Sequence, residues 1–255
     1  MDINKCRAYF ERIGLTFPKE FEPNGQWLKD IQYAHCITVP YENLDILEGK
    51  PLSLDPDALY NKIVKNRRGG YCFEVNGLLG WLLEELGYGV THFFARYLRG
   101  ENSIPMRRHR VLKVEATDGV WLVDVGIGEV APRVPVRLVE GEEQPQFEEC
   151  YRLDTDEFLG WVLMDYYEGQ WRPFYSFTEE EQLDVDYTAA SFYCEKHPDS
   201  PFNKAPMLAI KTAEGRVTID GNVLKIVSGE SVQSRVLNTP EEVREAYKSY
   251  FFLEV

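Results

Sequence analysis

Apolar positions change period near residue 90, from the three-and-four spacing of helices to the alternation of strands. Residues 1–15 mix Lys5, Arg7, Glu11 and Arg12 with Ile3, Tyr9, Phe10 and Ile13, the pattern of an amphipathic helix. Asn24 can cap a second helix through Trp27, Ile31 and Tyr33. Asp55 followed by Pro56 signals the cap and first turn of a third, through Leu59, Ile63 and Val64. A fourth begins at or near Cys72, keeps Val75, Leu78, Leu79, Leu82, Leu83 and Leu86 in helical register, and stops at Gly87. Beyond residue 90, strands are predicted over 91–98, 110–116 and 120–125, then 151–153, 158–166 and 170–177. Residues 140–149 are acidic, contain a proline and show no apolar period, so they read as a solvated loop. A helix over 183–196 ends before His197-Pro198. Short strands over 207–211, 217–219 and 223–226 follow, and a last helix starts at Thr239-Pro240 with Glu242 completing a capping box.

This order gives an α+β fold in three units: a helical unit over 1–88, a strand-rich unit over 89–200 with a linking helix, and a small mixed unit over 201–255. With 255 residues and 44% hydrophobic composition, the chain can bury a large core without disulfide or metal staples. Five cysteines with no CxxC pair give neither a disulfide framework nor a zinc site, so a reduced, cytoplasmic setting and no metal are expected. The amphipathic start does not resemble a signal peptide, and no apolar run approaches the ~20 residues that span a bilayer. A net charge of −14 argues against nucleic acid or an anionic membrane as the main partner. A small anion remains compatible where basic groups concentrate, as in Arg107, Arg108 and Arg110, although each taken alone reads as a solvated surface group.

One segment carries chemistry. Arg68-Gly69-Gly70-Tyr71-Cys72-Phe73-Glu74-Val75-Asn76 sets a thiol at the first turn of the apolar helix, directly after a glycine pair. Free N–H groups and the positive end of the helix dipole favour a thiolate there, and the thiolate is the nucleophile. The two glycines let the backbone turn tightly and leave the sulfur open to a substrate. Cys6, Cys36, Cys150 and Cys194 lack such surroundings and read as core filler.

A nucleophilic cysteine needs a base and a group that orients the base. Of the four histidines, His35 beside Cys36 and His197 before a proline read as packing or surface residues, and His92 has no clear partner in its strand. His109 has one in Asp124, the single carboxylate of the apolar run Trp121-Leu122-Val123-Asp124-Val125. If the hairpin turns at Thr117-Asp118, Val111 lies opposite Asp124 and His109 is its diagonal neighbour on the same face, roughly 7–8 Å away at the backbone. A turn at Asp118-Gly119 would separate them. The alternative for Asp124 is a pairing with a nearby arginine or with backbone amides. Gly126-Ile127-Gly128 follows, where a ligand, or a plain turn, would use two glycines. No phosphate-binding loop or dinucleotide fingerprint occurs.

These motifs resemble those of the arylamine N-acetyltransferase family, prokaryotic type. The resemblance rests on the cysteine segment, on His109 leading Val111-Leu112-Lys113-Val114, and on residues 121–128. Val39-Pro40-Tyr41-Glu42-Asn43-Leu44 and Ser200-Pro201-Phe202 resemble further family motifs. It implies a three-domain fold of helical bundle, β-barrel and α/β lid around a core like that of cysteine proteases. It further implies a Cys72-His109-Asp124 triad, acetyl-CoA as acetyl donor, and N-acetylation of arylamines and arylhydrazines by a ping-pong route through acetyl-cysteine. Pro105, Met106, Arg107 and Arg108, together with Gly126, Ile127 and Gly128, would approach the coenzyme. Tyr41, Tyr71, Ile127 and Phe202 would line the acceptor pocket, and Arg68 would pair with acids such as Glu42. Ile127 stands where family members often carry an aromatic residue, which bears on acceptor selectivity. A transglutaminase-like or papain-like cysteine hydrolase would use the same triad on an amide.

Overall fold

In the computed structural model, residues 2–254 are described. Helix α1 (Ile3–Arg12) starts at Asp2, whose carboxylate accepts the Lys5 N–H, and α2 (Gly25–Thr38) starts at Asn24, which accepts from Trp27. A two-residue strand β1 (Tyr41–Glu42) and a single turn α3 (Leu44–Leu47) follow. Asp55 caps α4 (Pro56–Leu59) as its sequence predicts, but the coil then widens into a π-type segment over Tyr60–Lys65. Helix α5 (Cys72–Glu85) is buried on every side along its first nine residues, so it serves as the axis of the helical layer. Its Leu78, Leu79, Leu82 and Leu83 pack with Phe10, Ile31 and Ile63 on one side and with Leu112 and Val123 of the sheet on the other.

The middle of the chain forms one antiparallel sheet of eight strands: β2 (Gly89–Tyr97), β3 (His109–Ala116), β4 (Gly119–Val123), β5 (Val136–Arg137), β6 (Gln144–Gln146), β7 (Glu149–Asp156), β8 (Gly160–Tyr167) and β9 (Gln170–Glu181). The order is β5-β4-β3-β2-β9-β8-β7-β6. The two edge strands nearly close the sheet into a barrel, because the Gln144 carboxamide takes the place of a backbone rung. It accepts from the Arg137 N–H at 2.6 Å and donates to the Arg137 carbonyl at 3.0 Å. The solvated loop expected over 140–149 is thus wrong in part. Gln144–Gln146 is a strand whose side chains bond across the seam, a use of glutamine that no apolar period reveals. Phe93, Val111, Leu122, Leu163, Phe174 and Phe177 fill the interior. Helix α6 (Tyr187–Lys196) leaves the sheet after a short 3₁₀ turn at Asp184–Asp186.

The last part adds β10 (Met207–Thr212), β11 (Gly215–Asp220), β12 (Val223–Ser228) and β13 (Ser231–Val236), with α7 (Pro240–Phe251) across one face. Thr239 and Glu242 form the expected capping box. Strand β1, from the helical part, pairs with β10 and completes a five-stranded sheet in the order β1-β10-β11-β12-β13. That pairing draws the first and last parts of the chain together next to Cys72. Among the described residues no helix is long and apolar enough to cross a membrane.

Candidate active site

The glycine pair before Cys72 is required by close approach. A Cβ on Gly69 would lie 2.0 Å from the Pro40 carbonyl oxygen, and one on Gly70 would lie 2.9 Å from the Glu74 side chain. Arg68 binds Glu42 at 2.8 Å and Asp45 at 3.1 Å, while Lys62 binds Asp45 and Glu74 at 2.7 Å each. These pairs hold the start of α5. Glu74 also accepts the Tyr71 N–H, and burial pushes its carboxyl up to about 7.

Cys72 is only 3% exposed. Burial pushes its thiol well above the ordinary range, with Cys194 and Asp124 adding to the rise, while backbone hydrogen bonds from Arg110 and Phe73 pull the other way. Burial therefore works against the thiolate that the helix start favours. An acceptor for the thiol proton has to be close.

The β3–β4 hairpin decides where that acceptor lies. Ala116 pairs with Gly119 and Leu112 with Val123, so the turn is Thr117-Asp118 and His109 falls on the same face as Asp124. His109 Nε2 meets Asp124 Oδ2 at 2.7 Å, with both residues buried. A carboxylate only accepts, so Nε2 carries the proton and Nδ1 is free to act as a base. The other oxygen, Oδ1, accepts from Gly126 N–H at 2.7 Å and from the Asn76 side chain at 2.8 Å.

Cys72 and His109 open into one cavity of about 350 Å³, and Asp124 lies behind it. Of the remaining expected residues, Tyr41, Arg108, Gly126, Ile127, Gly128 and Phe202 line this cavity. Tyr71 does not. Its ring is fully buried against Phe73 and Phe202, and its hydroxyl bonds Ser191 at 2.6 Å, so placing it on the pocket wall is corrected to packing behind Cys72. Pro105, Met106 and Arg107 also lie off the wall. The Pro105 carbonyl accepts from Arg96, Met106 is exposed, and Arg107 turns outward to Glu180. Nor do the three arginines form a patch. Arg110 is buried on the opposite face of β3, where it binds His92 and Asp184 at 2.7 Å each and lies over the Tyr187 ring.

Sequence reading missed Tyr97 and Glu129 on the wall, and the contribution of β10 and β11 through Met207, Ala209, Thr218 and Asp220. Those strand residues carry no motif, and only the pairing of β1 with β10 brings them to the site. Asn76 was detectable: it is a polar residue on a buried helix, four positions after Cys72. Among the described residues no group of three or more His, Cys, Asp or Glu could hold a metal ion.

A family model described as N-acetyltransferase matches residues 26–255. Arylamine N-acetyltransferase of Mycobacterium tuberculosis (strain ATCC 25618 / H37Rv) is 40% identical over 225 residues, covering 86% of this chain and 78% of that protein. The structure of Mycobacterium smegmatis arylamine N-acetyltransferase matches with a TM-score of 0.91 at 35% identity, covering 100% of this chain and 93% of that one. The Mycobacterium marinum enzyme in complex with CoA matches with a TM-score of 0.88 at 33% identity, covering 96% and 92%. Matched in sequence along nearly its whole length and in fold over all of it, the chain belongs to the arylamine N-acetyltransferase family.

Proposed function

We propose that the protein transfers an acetyl group from acetyl-CoA to a small aromatic amine or hydrazine through an acetyl-Cys72 intermediate. The observation that carries this reading is one cavity reached by a thiol and by an imidazole whose far nitrogen is held by a carboxylate. Its volume is at the small end of the roughly 300–1,000 Å³ typical of small-molecule pockets, which suits an acetyl thioester arm or a single-ring amine.

In this mechanism Cys72 Sγ attacks the acetyl carbonyl as His109 Nδ1 takes the thiol proton. Asp124 keeps the ring in the required tautomer and balances the imidazolium. His109 then returns the proton to the departing donor thiolate. In the second half, His109 removes a proton from the attacking amine and delivers it to Cys72 as the amide forms. The basic group on the wall is Arg108, set to meet an anionic part of the donor, while Tyr41, Ile127 and Phe202 supply apolar surface for the ring of the acceptor.

Intact-mass measurement after mixing with acetyl-CoA tests the reading. An acetyl increment should appear on Cys72, be absent in Cys72→Ala, and be discharged by an added arylamine. Peptide cleavage without any requirement for acetyl-CoA would favour a cysteine hydrolase instead.

A further inference from the structure

We propose that Asn76 is a positioning residue for the transfer reaction, tying Asp124, and through it His109, to the helix that carries Cys72. The inference rests on the reading of Cys72 as the acetylated nucleophile. Asn76 is completely buried and stands one helical turn after Cys72, on the same side of α5. Its Nδ2 donates to Asp124 Oδ1 at 2.8 Å and to the Arg110 carbonyl at 2.6 Å, and its Oδ1 accepts the Val125 N–H at 2.9 Å. One carboxamide therefore reaches both sides of the hairpin: the main chain next to His109 on β3, and the segment beyond β4 that holds Asp124.

The chemistry of those partners fixes the amide orientation. Carboxylate and carbonyl only accept and an N–H only donates, so a neutral group with two donor hydrogens and an acceptor is needed. An aspartate at 76 would set oxygen against oxygen twice. Space is equally tight. A Cβ on Gly126 would lie 2.6 Å from Asn76 Nδ2 and 2.8 Å from Cys72 Cα, so the main chain after Asp124 rests directly on α5. Gly126 thus has a role beyond ligand approach: it lets the Asp124 segment come within reach of Asn76. With Oδ2 committed to His109 and Oδ1 to Asn76 and Gly126, the carboxylate has one orientation.

The test measures single-turnover acetylation of Cys72 in Asn76→Ala, Asp124→Asn and the double variant, across pH 5 to 9. Losing a buried hydrogen-bond partner should slow acetylation in Asn76→Ala by about ten- to hundredfold and displace its pH profile, with the half-saturating acetyl-CoA concentration moving less than about threefold. The double variant should be no slower than Asp124→Asn alone, because both changes disable one unit. If Asn76→Ala does not fold, Asn76→Ser carries the same measurement, and its shorter donor should leave a smaller defect. A folded variant that acetylates within about twofold of wild type, or effects that multiply independently, would overturn the proposal and leave Asn76 a purely structural residue. Failure of the wild-type protein to acetylate would instead overturn the reading of Cys72 on which it rests.

Discussion

Two buried histidines in this protein hold opposite places in its chemistry. His35, on α2, is 1% exposed and His109, on β3, is 5% exposed, so burial does not separate them. Their partners do. His35 Nδ1 bonds the hydroxyl of Tyr9 at 2.8 Å, with the Arg12 guanidinium close enough to oppose a second positive charge. Burial, reinforced by Arg12, lowers the pKa of His35 to about 3. His109 has a carboxylate at 2.7 Å in place of the phenol, and its other edge meets a cavity. A proton arriving at position 35 would meet repulsion and no outlet, while one arriving at 109 meets a counter-charge and a path to a substrate. In a core, the charge of the neighbour decides whether an imidazole can work as a base.

The largest expected effect separates the two rings directly. His109→Ala should slow acetylation of Cys72 by about 10²–10⁴-fold, the usual contribution of a positioned base, while His35→Gln should stay within about threefold of wild type. Single-turnover kinetics with acetyl-CoA check both. Comparable losses in the two variants would dissolve the contrast.

Asp124→Asn attacks the difference at its source, since it leaves His109 with a neutral partner much as His35 has. Acetylation should fall about 10²–10³-fold, and the unmatched amide beside Asn76 should lower the thermal midpoint as well. Full reactivity of Cys72 toward iodoacetamide in a well-folded Asp124→Asn protein would remove the carboxylate from its orienting role.

The third effect is on stability and concerns His35 alone. Its folded pKa is depressed, so between the unfolded value near 6.5 and the folded value of about 3 the unfolded chain binds the extra proton. The contribution of His35 is then fully present above about pH 6.5 and is lost as pH falls toward 3, with a slope of up to about 1.4 kcal/mol per pH unit. Urea unfolding at pH 7, 6 and 5 should show that decline in wild type and a shallower one in His35→Gln. Parallel lines for the two proteins would contradict it.

The smallest effect sharpens the site itself. A phenylalanine at Ile127 could stack on a ring in the cavity, which is worth roughly 0.5–1.5 kcal/mol, or about a two- to tenfold change in preference between stacking and non-stacking acceptors. The ranking of anilines and hydrazines in the second half-reaction should change, and acetylation of Cys72 should not. A loss confined to the acetyl-CoA step would place Ile127 outside the acceptor region.

Much of this was legible in the residues because it depends on local rules. Asn24, Asp55 and Thr239 cap helices where their side chains can reach free N–H groups, whereas the sequence allowed two turns in the β3–β4 hairpin and only the strand pairing selects Thr117-Asp118, which brings His109 to Asp124. The elements that escaped lack a local signature. Strand β13 is exposed along its whole length and shows no buried alternation, and β6 is held by glutamine side chains. Within the site, the cysteine segment was conspicuous, but the far wall was not. Met207, Ala209 and Thr218 reach the cavity only through sheet pairing with residues more than 150 positions earlier. Tyr71 sits next to Cys72 in sequence, yet its backbone turns the ring away, because a residue just before a helix shares neither face nor direction with the residue that starts it.

The main-chain contact at Gly126 also bears on motion. Where two backbones touch with no room for a methyl group, neither can drift without carrying its helix or strand along, so the wall formed by Cys72, Asn76 and residues 124–126 moves as a rigid block. The opposite wall is made of side chains from β10 and β11, on a sheet held to the rest of the molecule by β1, by Asn43 at the Met207 N–H, by Arg133 at the Thr212 and Gly215 carbonyls and by the Lys211–Glu149 pair. A side chain added at Gly126 would therefore displace the reacting groups themselves, whereas a change on β10 or β11 alters only the shape of the far wall.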